Sequence, residues 1–167
     1  MQAKTEENYF PYSSPISLLE EFFFQFEWNY DQTSENEIAA EAEGRWCNYR
    51  LFAMWRQDLE SLIFSSIIDL KIPQDKRESV GILLSLLNPK IWLGHFEVMP
   101  HDEVPTFRYN LVLRGNSGAT LEQIEEIITS AVVECDRLYP ALQFLLWGGK
   151  NPEEALLAAM LDTCGEA

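Results

Sequence analysis

The stretch of residues 47–70 constrains the fold more than any other part of this chain. Its apolar residues recur at every second position, which is typical of β-strands that bury one face. We interpret it as two antiparallel strands, residues 48–56 and 59–69, with Arg56 paired to Leu59. This pairing predicts one face that is apolar enough to be core. Its members are Tyr49, Leu51, Ala53, Trp55, Leu62, Phe64 and Ile68.

The opposite face of this hairpin mixes polar and apolar side chains, and it raises the main functional question. Phe52, Met54, Ile63 and Ile67 lie there among arginine and serine side chains. An antiparallel sheet in contact with water usually has a more uniformly polar outer face. The face is therefore either covered by a helix or used to bind a partner. These four residues are our first candidates for a protein interface.

The balance of charge argues against two classes of partner. The sequence has 27 acidic and 12 basic residues, which gives a formal net charge of −15. A field of this sign repels the phosphate backbone of nucleic acids and the anionic surface of membranes. We therefore expect neither nucleic acid nor a membrane as a partner. Basic or amphipathic proteins are favoured instead.

The cysteines and the N-terminal sequence indicate the compartment. Cys47, Cys135 and Cys164 are odd in number and widely spaced, which favours free thiols in a reducing environment. The N-terminal sequence lacks the charged and apolar regions of a signal peptide. The most apolar run, residues 155–161, is too short to span a bilayer. We therefore expect a cytoplasmic protein.

Capping signals and apolar periodicity predict the other elements. Ser14 is a good N-cap with Pro15 in the first helical position, so a helix begins there. Residues 35–44 alternate in polarity and predict an edge strand. Pro140 is expected to end or kink a long helix that a capping box opens at residues 120–123. The remaining predicted elements are a helix over 74–87, strands over 94–99 and 106–114, and helices over 141–147 and from Pro152 to about Thr163.

The resulting order is α-β-β-β-α-β-β-α, followed by extra C-terminal helices. Antiparallel strands in runs, with helices between the runs, predict an α+β fold with a single antiparallel sheet of about five strands flanked by helices. The length of the chain predicts one domain, which we place over residues 14–163. Residues 1–13 are expected to form a loose N-terminal segment, and residues 164–167 a tail.

Candidates for catalysis are few. The two histidines, His95 and His101, have acidic neighbours, but structural zinc requires four converging ligands. The glycine-rich loop at residues 115–118 fits no phosphate-binding motif. We therefore predict no enzyme, no metal and no cofactor. The alternative is an enzyme or ligand-binding domain with an unrecognised pocket, for which the candidates are His95, Glu97, His101 and Arg108.

Two other groups of apolar residues are candidates for contact surfaces. Ile82 and Leu86 fall off the main apolar stripe of their helix, and Phe144 and Trp147 belong to a run that is apolar around most of its circumference. The region of residues 22–30 has more aromatic side chains than one helix stripe needs, so it is either a well-packed core or a hydrophobic contact surface. Its aromatic members are Phe22, Phe23, Phe24, Phe26, Trp28 and Tyr30.

Several motifs together resemble those of the YbjN family of proposed bacterial sensory transduction regulators. The resemblance covers roughly residues 14–161, and its most specific part is the DRLYPAL motif followed by GGKNPEEA. The full set is EWNY at 27–30, Gly44, GHFE at 94–97, DRLYPAL at 136–142 and GGKNPEEA at 148–155. The resemblance implies a fold like that of type III secretion chaperones, an antiparallel sheet flanked by helices, and it implies a dimer. It carries over no catalytic residues.

The expected function is therefore a non-enzymatic regulatory or chaperone-like protein-binding module that acts through an apolar interface. We expect a homodimer, and the sequence does not identify a further protein partner. One alternative is the small-molecule-binding domain or enzyme already described. The other is a purely structural homodimer.

Overall fold

Helices and antiparallel strands follow each other in groups along the chain. The computed structural model describes residues 14–164, with side chains described as far as Leu161. The helices are α1 (Pro15–Gln25), α2 (Arg77–Leu87), α3 (Leu121–Leu146) and α4 (Pro152–Cys164). The strands are β1 (Tyr30–Ser34), β2 (Glu37–Glu43), β3 (Asn48–Arg56), β4 (Ser61–Ile67), β5 (His95–Val98) and β6 (Pro105–Val112). The predicted loose segment, residues 1–13, and the end of the predicted tail, residues 165–167, lie outside the described residues.

The strands form one antiparallel sheet in the order β1-β2-β3-β4-β6-β5. This arrangement confirms the predicted α+β fold, but the sheet has six strands where about five were predicted. The additional strand, β1, pairs outside β2, so the prediction that β2 is an edge strand was wrong. β1 is short and mostly exposed, and its pairing shifts register between Asp31 and Ser34. No apolar alternation therefore marks it in the sequence.

The hairpin of β3 and β4 has a longer turn than the predicted one. Gln57–Leu59 form a turn of 3-10 helix, and Glu60 adopts a left-handed backbone conformation with φ of 47°. Arg56 therefore pairs with Ser61, two residues later than predicted. A shift of two residues keeps every side chain on its predicted face, because strand faces alternate with a period of two. The predicted core face is buried, except that Trp55 is partly buried.

The helices cover the face of the sheet that the alternation predicted to be core. α1 contacts β2 and β3, α3 contacts β4 and β6, and α2 contacts β5, while α4 packs on α2 and α3. Buried side chains from the helices and the sheet form one cluster, with Phe23, Phe64 and Phe107 among its largest members. Full burial of a side chain of this size contributes about 1.5–3 kcal/mol. This layer of contacts fixes the sheet beneath the helices.

Side chains cap three of the helices, and the caps of α1 and α3 are the predicted ones. The Ser14 hydroxyl accepts a hydrogen bond from the Ile16 N–H at 3.3 Å at the start of α1. Thr120 and Gln123 form the expected reciprocal capping box at the start of α3. A matching pair at the start of α4 joins Asn151 and Glu154. Each such cap satisfies backbone N–H groups that have no partner within the helix.

Pro140 does not end α3, which continues without a break to Leu146. The predicted separate helix over residues 141–147 is therefore wrong. Proline has no N–H, so Pro140 leaves the backbone carbonyl of Asp136, four residues earlier, without its helical donor. The indole Nε1–H of Trp46 donates to that carbonyl at 3.0 Å. A side chain from the β2–β3 turn thus replaces the missing helical hydrogen bond.

Candidate interaction surface

The outer face of the sheet, opposite the helices, carries an apolar patch across β3 and β4. The register places Met54 directly beside Ile63, and Phe52 lies two residues before Met54 on the same face. Ile67 is a diagonal neighbour of Phe52 across the two strands. Side chains in these positions are close enough to touch. We call Phe52, Met54, Ile63 and Ile67 the outer-sheet patch.

All four side chains of the outer-sheet patch are partly buried. Neighbouring strands shield them, but within the described residues the helices lie on the other face of the sheet. The sequence allowed two explanations for this face, cover by a helix or binding of a partner. In the part of the chain that is described, no helix covers it. A contiguous apolar patch with a polar rim is typical of an interaction surface.

The two flanks of the outer-sheet patch differ in charge. On the β2 side the outer face carries Glu37 and Glu41, with Asp31 beyond them on β1. On the β6 side it carries Arg108 and Asn110. One flank is therefore acidic, and the other presents an amide and an arginine whose charge is paired with that of Glu97 on β5. This asymmetry limits the orientations in which a second surface can pack on the patch.

Three of the four polar residues considered for an enzymatic pocket meet at the β5–β6 side of the outer face. Arg108 Nη1 lies 3.1 Å from Glu97 Oε1, and His95 Nε2 lies 3.9 Å from Glu97 Oε2. His101 lies in the turn between β5 and β6 and joins neither of these contacts. Among residues 14–161, whose side chains are described, no three histidine, cysteine or acidic side chains gather closely enough to hold a metal. The group is a surface ion-pair network.

The two described cysteines, Cys47 and Cys135, are not arranged as nucleophiles. Cys135 is fully buried on α3, as its place on the apolar stripe predicted, and its Sγ lies 3.4 Å from Ser66 Oγ. Burial raises the pKa of the Cys135 thiol to about 12. Burial also raises the pKa of the Cys47 thiol. Both therefore remain thiols at neutral pH, whereas the thiolate is the reactive form.

The four helical candidates for an interface lie on the layer opposite the outer-sheet patch. Ile82 is 42% exposed on α2, and Trp147 is 70% exposed just after α3. Leu86 and Phe144 are partly buried and pack against the core. The structure therefore does not bring these residues together with the outer-sheet patch. We call Ile82, Leu86, Phe144 and Trp147 the helical-layer set.

Asp136 joins α3 to the turn between β2 and β3, a role that the sequence analysis did not assign. Its Oδ1 accepts a hydrogen bond from Tyr49 Oη at 2.6 Å and another from the backbone N–H of Arg45 at 2.8 Å. Burial, together with the hydrogen bond to Asp136, raises the pKa of Tyr49, so the phenol remains a donor. With the Trp46 contact to its carbonyl, Asp136 fixes the turn on the helix.

A sequence signal for this junction was present in the DRLYPAL motif. Asp136 stands four residues before Pro140, so its carbonyl must find a donor outside the helix. Gly44 belongs to the same junction, because a Cβ at Gly44 would overlap the ring of Tyr49. The motif residues therefore hold the fold together.

The fold and its surfaces define a class: a small α+β protein with helices on one face of an antiparallel sheet and an apolar patch on the other. No helix within residues 14–164 combines the length and the apolar character needed to cross a bilayer. The chain belongs to the YbjN family, described as "Putative bacterial sensory transduction regulator", whose model matches residues 15–144. The predicted family is thereby confirmed.

Comparison with solved structures gives one further likeness to the same family. The crystal structure of YbjN, "a putative transcription regulator from E. coli", is 14% identical in sequence and has a TM-score of 0.48. The match covers 72% of this chain and 90% of that one. No curated protein matches the sequence.

Proposed function

We propose that this chain is a non-enzymatic regulatory protein of the cytoplasm that acts by binding protein, and that its outer-sheet patch binds a second copy of the chain. The observation that carries the proposal is the set of four partly buried apolar side chains on a sheet face that none of the described helices covers. Membership of a family described as regulators supports a role in regulation over a role in catalysis. The two described thiols, which remain protonated, and the partly buried ion pair of Glu97 and Arg108 favour no enzymatic reaction.

The charged flanks support a second copy as the occupant of the outer-sheet patch. In a two-fold dimer the same patch meets itself. If the two-fold axis runs parallel to the strands, the acidic β2 flank of one copy lies over the β6 flank of the other, where Arg108 is paired with Glu97 and the charges are close to balanced. An axis across the strands would instead set Glu37 and Glu41 against the partner's acidic flank. The first arrangement is electrostatically favoured.

The helical-layer set remains available to a further partner in the same dimer. Ile82 on α2 and Trp147 just after α3 are exposed, and the outer-sheet interface would leave both free. A dimer of this kind could hold a protein partner against its helices, as a chaperone-like adaptor does. The likeness to secretion chaperones is part of this proposal and rests on the resemblance of the sequence motifs.

Light scattering behind a sizing column tests the proposal. The wild-type chain is compared over a range of concentrations with the double variant Met54→Asp, Ile63→Asp. The matched control is Leu157→Asp, Leu161→Asp, which adds the same charge at two exposed leucines of α4. Moderate salt screens the repulsion between copies that each carry a net charge of −15. Circular dichroism reports whether each variant is folded.

The proposal predicts a wild-type dimer, a folded monomer for the patch variant and a dimer for the control. A wild-type monomer at all concentrations would overturn self-association. So would a patch variant that remains dimeric. If the patch variant unfolds, the milder variant Ile63→Ser replaces it, and an undiminished dimer in that variant would equally contradict the proposal.

A further inference from the structure

A second apolar surface lies on the helical side of the molecule, where the aromatic residues at the end of α1 and just after it meet α3. A cavity of about 270 Å³ opens there, and it is separate from the outer-sheet patch and from the helical-layer set. We call its apolar lining the aromatic groove. Its members are Phe22, Phe26, Trp28, Ile128, Val132 and Val133.

The wall of the aromatic groove is both preformed and open. Phe22 is buried and packs against Phe26 at 4.6 Å between ring centroids and against Trp28 at 5.8 Å. Phe26 and Val133 nevertheless remain 51% and 52% exposed. The core therefore anchors the groove but leaves much of its apolar area in water. Rigid, pre-positioned apolar surface of this kind lowers the entropic penalty of binding.

The aromatic groove continues along α3 toward the β2–β3 turn. Val133 also lines a second cavity of about 290 Å³, together with Arg45, Trp46, Asp136 and Arg137. The lining on α3 therefore runs from Glu125 to Arg137, which spans about 18 Å at the rise of an α-helix. This length matches about three turns of a bound helix.

The two cavities of this continuous groove differ in charge. Glu43 and Glu125 line the first cavity, and their carboxylates make no hydrogen bond or ion pair with the described residues. Arg45 and Arg137 line the second cavity together with Asp136, and Arg137 is also paired with Glu134 at 3.2 Å, so the charges there are close to balanced. Charged groups at the rim of an apolar groove select a partner with complementary charges.

We propose that the aromatic groove binds an amphipathic helical segment of another protein, about three turns long. Its apolar stripe packs on the aromatic groove, and its basic side chains lie beside Glu43 and Glu125. This is the helix-in-groove mode of recognition. The site is independent of the proposed dimer, because it lies on the helices and not on the outer face of the sheet.

The test uses the full chain and a defined probe. The probe is a 14-residue helix-forming peptide with leucines along one face, two lysines at one end and two glutamates at the other. Its affinity is measured by fluorescence anisotropy for wild type, Glu125→Arg and Glu78→Arg. Glu78 is an exposed glutamate on α2, so its variant makes the same change in net charge away from the groove. Amide NMR spectra of the wild type locate the bound peptide.

The proposal predicts that Glu125→Arg weakens binding about tenfold, while Glu78→Arg changes it less than about twofold. It also predicts that peptide shifts the signals of Thr129, Val133 and the Trp28 indole and leaves those of Trp92 unchanged. Equal weakening in both variants would assign the binding to bulk charge and overturn the proposal. Shifts confined to other surfaces would do the same. Groove signals that move with protein concentration alone would assign the groove to a second copy and also overturn it.

Discussion

At Gly44 the backbone passes so close to the ring of Tyr49 that a methyl group has no room. We predict that Gly44→Ala lowers the free energy of unfolding by about 1–3 kcal/mol, because it displaces a ring that also donates to Asp136. Gly81 is the matched control, because a Cβ there meets nothing within 4 Å and Gly81 lies within α2. Gly81→Ala should raise stability by about 0.5–1 kcal/mol. Urea denaturation measures both changes, and an unchanged midpoint for Gly44→Ala would contradict the account.

Glu134 is a carboxylate buried on α3, with Arg137 Nη1 at 3.2 Å from its Oε2. Burial raises the pKa of this carboxyl more than Arg137 lowers it. Because the raised pKa means that the folded state favours the protonated carboxyl, protonation of Glu134 stabilises the fold. This contribution to stability is fully present below the unfolded-state pKa and is lost as pH rises through the folded-state pKa. At neutral pH the charged carboxylate of Glu134 therefore destabilises the fold.

Removing the charge of Glu134 should therefore raise the free energy of unfolding at neutral pH. We predict that Glu134→Gln is more stable than wild type at about pH 7, and that the difference shrinks as pH falls toward the ordinary carboxyl pKa of 4.5. Urea midpoints at a series of pH values measure it, with Glu125→Gln as the control for loss of one exposed charge on the same helix. A difference that does not vary with pH would show that ionisation of Glu134 does not affect stability.

At the scale of elements, Pro140 and Trp46 form one unit although they lie far apart in sequence. We predict that Trp46→Phe lowers the free energy of unfolding by about 1 kcal/mol, because the Asp136 carbonyl loses its donor. In a Pro140→Ala background the restored N–H can donate to that carbonyl within the helix, so the same change should have a smaller effect. A double-mutant cycle measures the coupling, and strictly additive effects would contradict it.

The edge of the sheet at β1 is protected by its own irregularity. The register shift between Asp31 and Ser34 interrupts the ladder, and the exposed side chains of the strand are polar. Both features discourage another chain from adding a strand at this edge. Addition of a partner strand at β2, which an edge position would have allowed, is blocked by β1 itself. The β1 edge is therefore a poor surface for strand addition.

Much of this architecture could be predicted from the sequence because it depends on local signals. Ser14, Thr120 and Asn151 mark helix starts through their own side chains, and the alternation in β3 assigns its two faces directly. β1 was missed because its pairing depends on β2 and not on an apolar pattern of its own. The continuation of α3 through Pro140 was missed because the hydrogen bond that replaces the missing helical one comes from Trp46, a residue distant in sequence.

At the scale of the whole molecule, the sheet separates two surfaces with different roles. The helical face provides the core, and the outer face keeps four apolar side chains partly in water. The sequence predicted that these four residues share one face of the sheet, because a register shift of two residues does not move a side chain to the other face. It did not distinguish core from groove among the aromatic residues near Phe22, because that distinction depends on how far α3 covers them. Only the packing of α1 on α3 shows which rings remain exposed.

In the proposed dimer the outer-sheet patch of one copy meets that of another, with the two-fold axis parallel to the strands. An isotope-filtered nuclear Overhauser experiment on a mixture of labelled and unlabelled chains detects this arrangement. We expect contacts between copies that join the Ile63 methyl groups of one chain to Phe52 or Met54 of the other. A dimer whose contacts between copies come only from the helices, with none from Ile63, would rule this arrangement out.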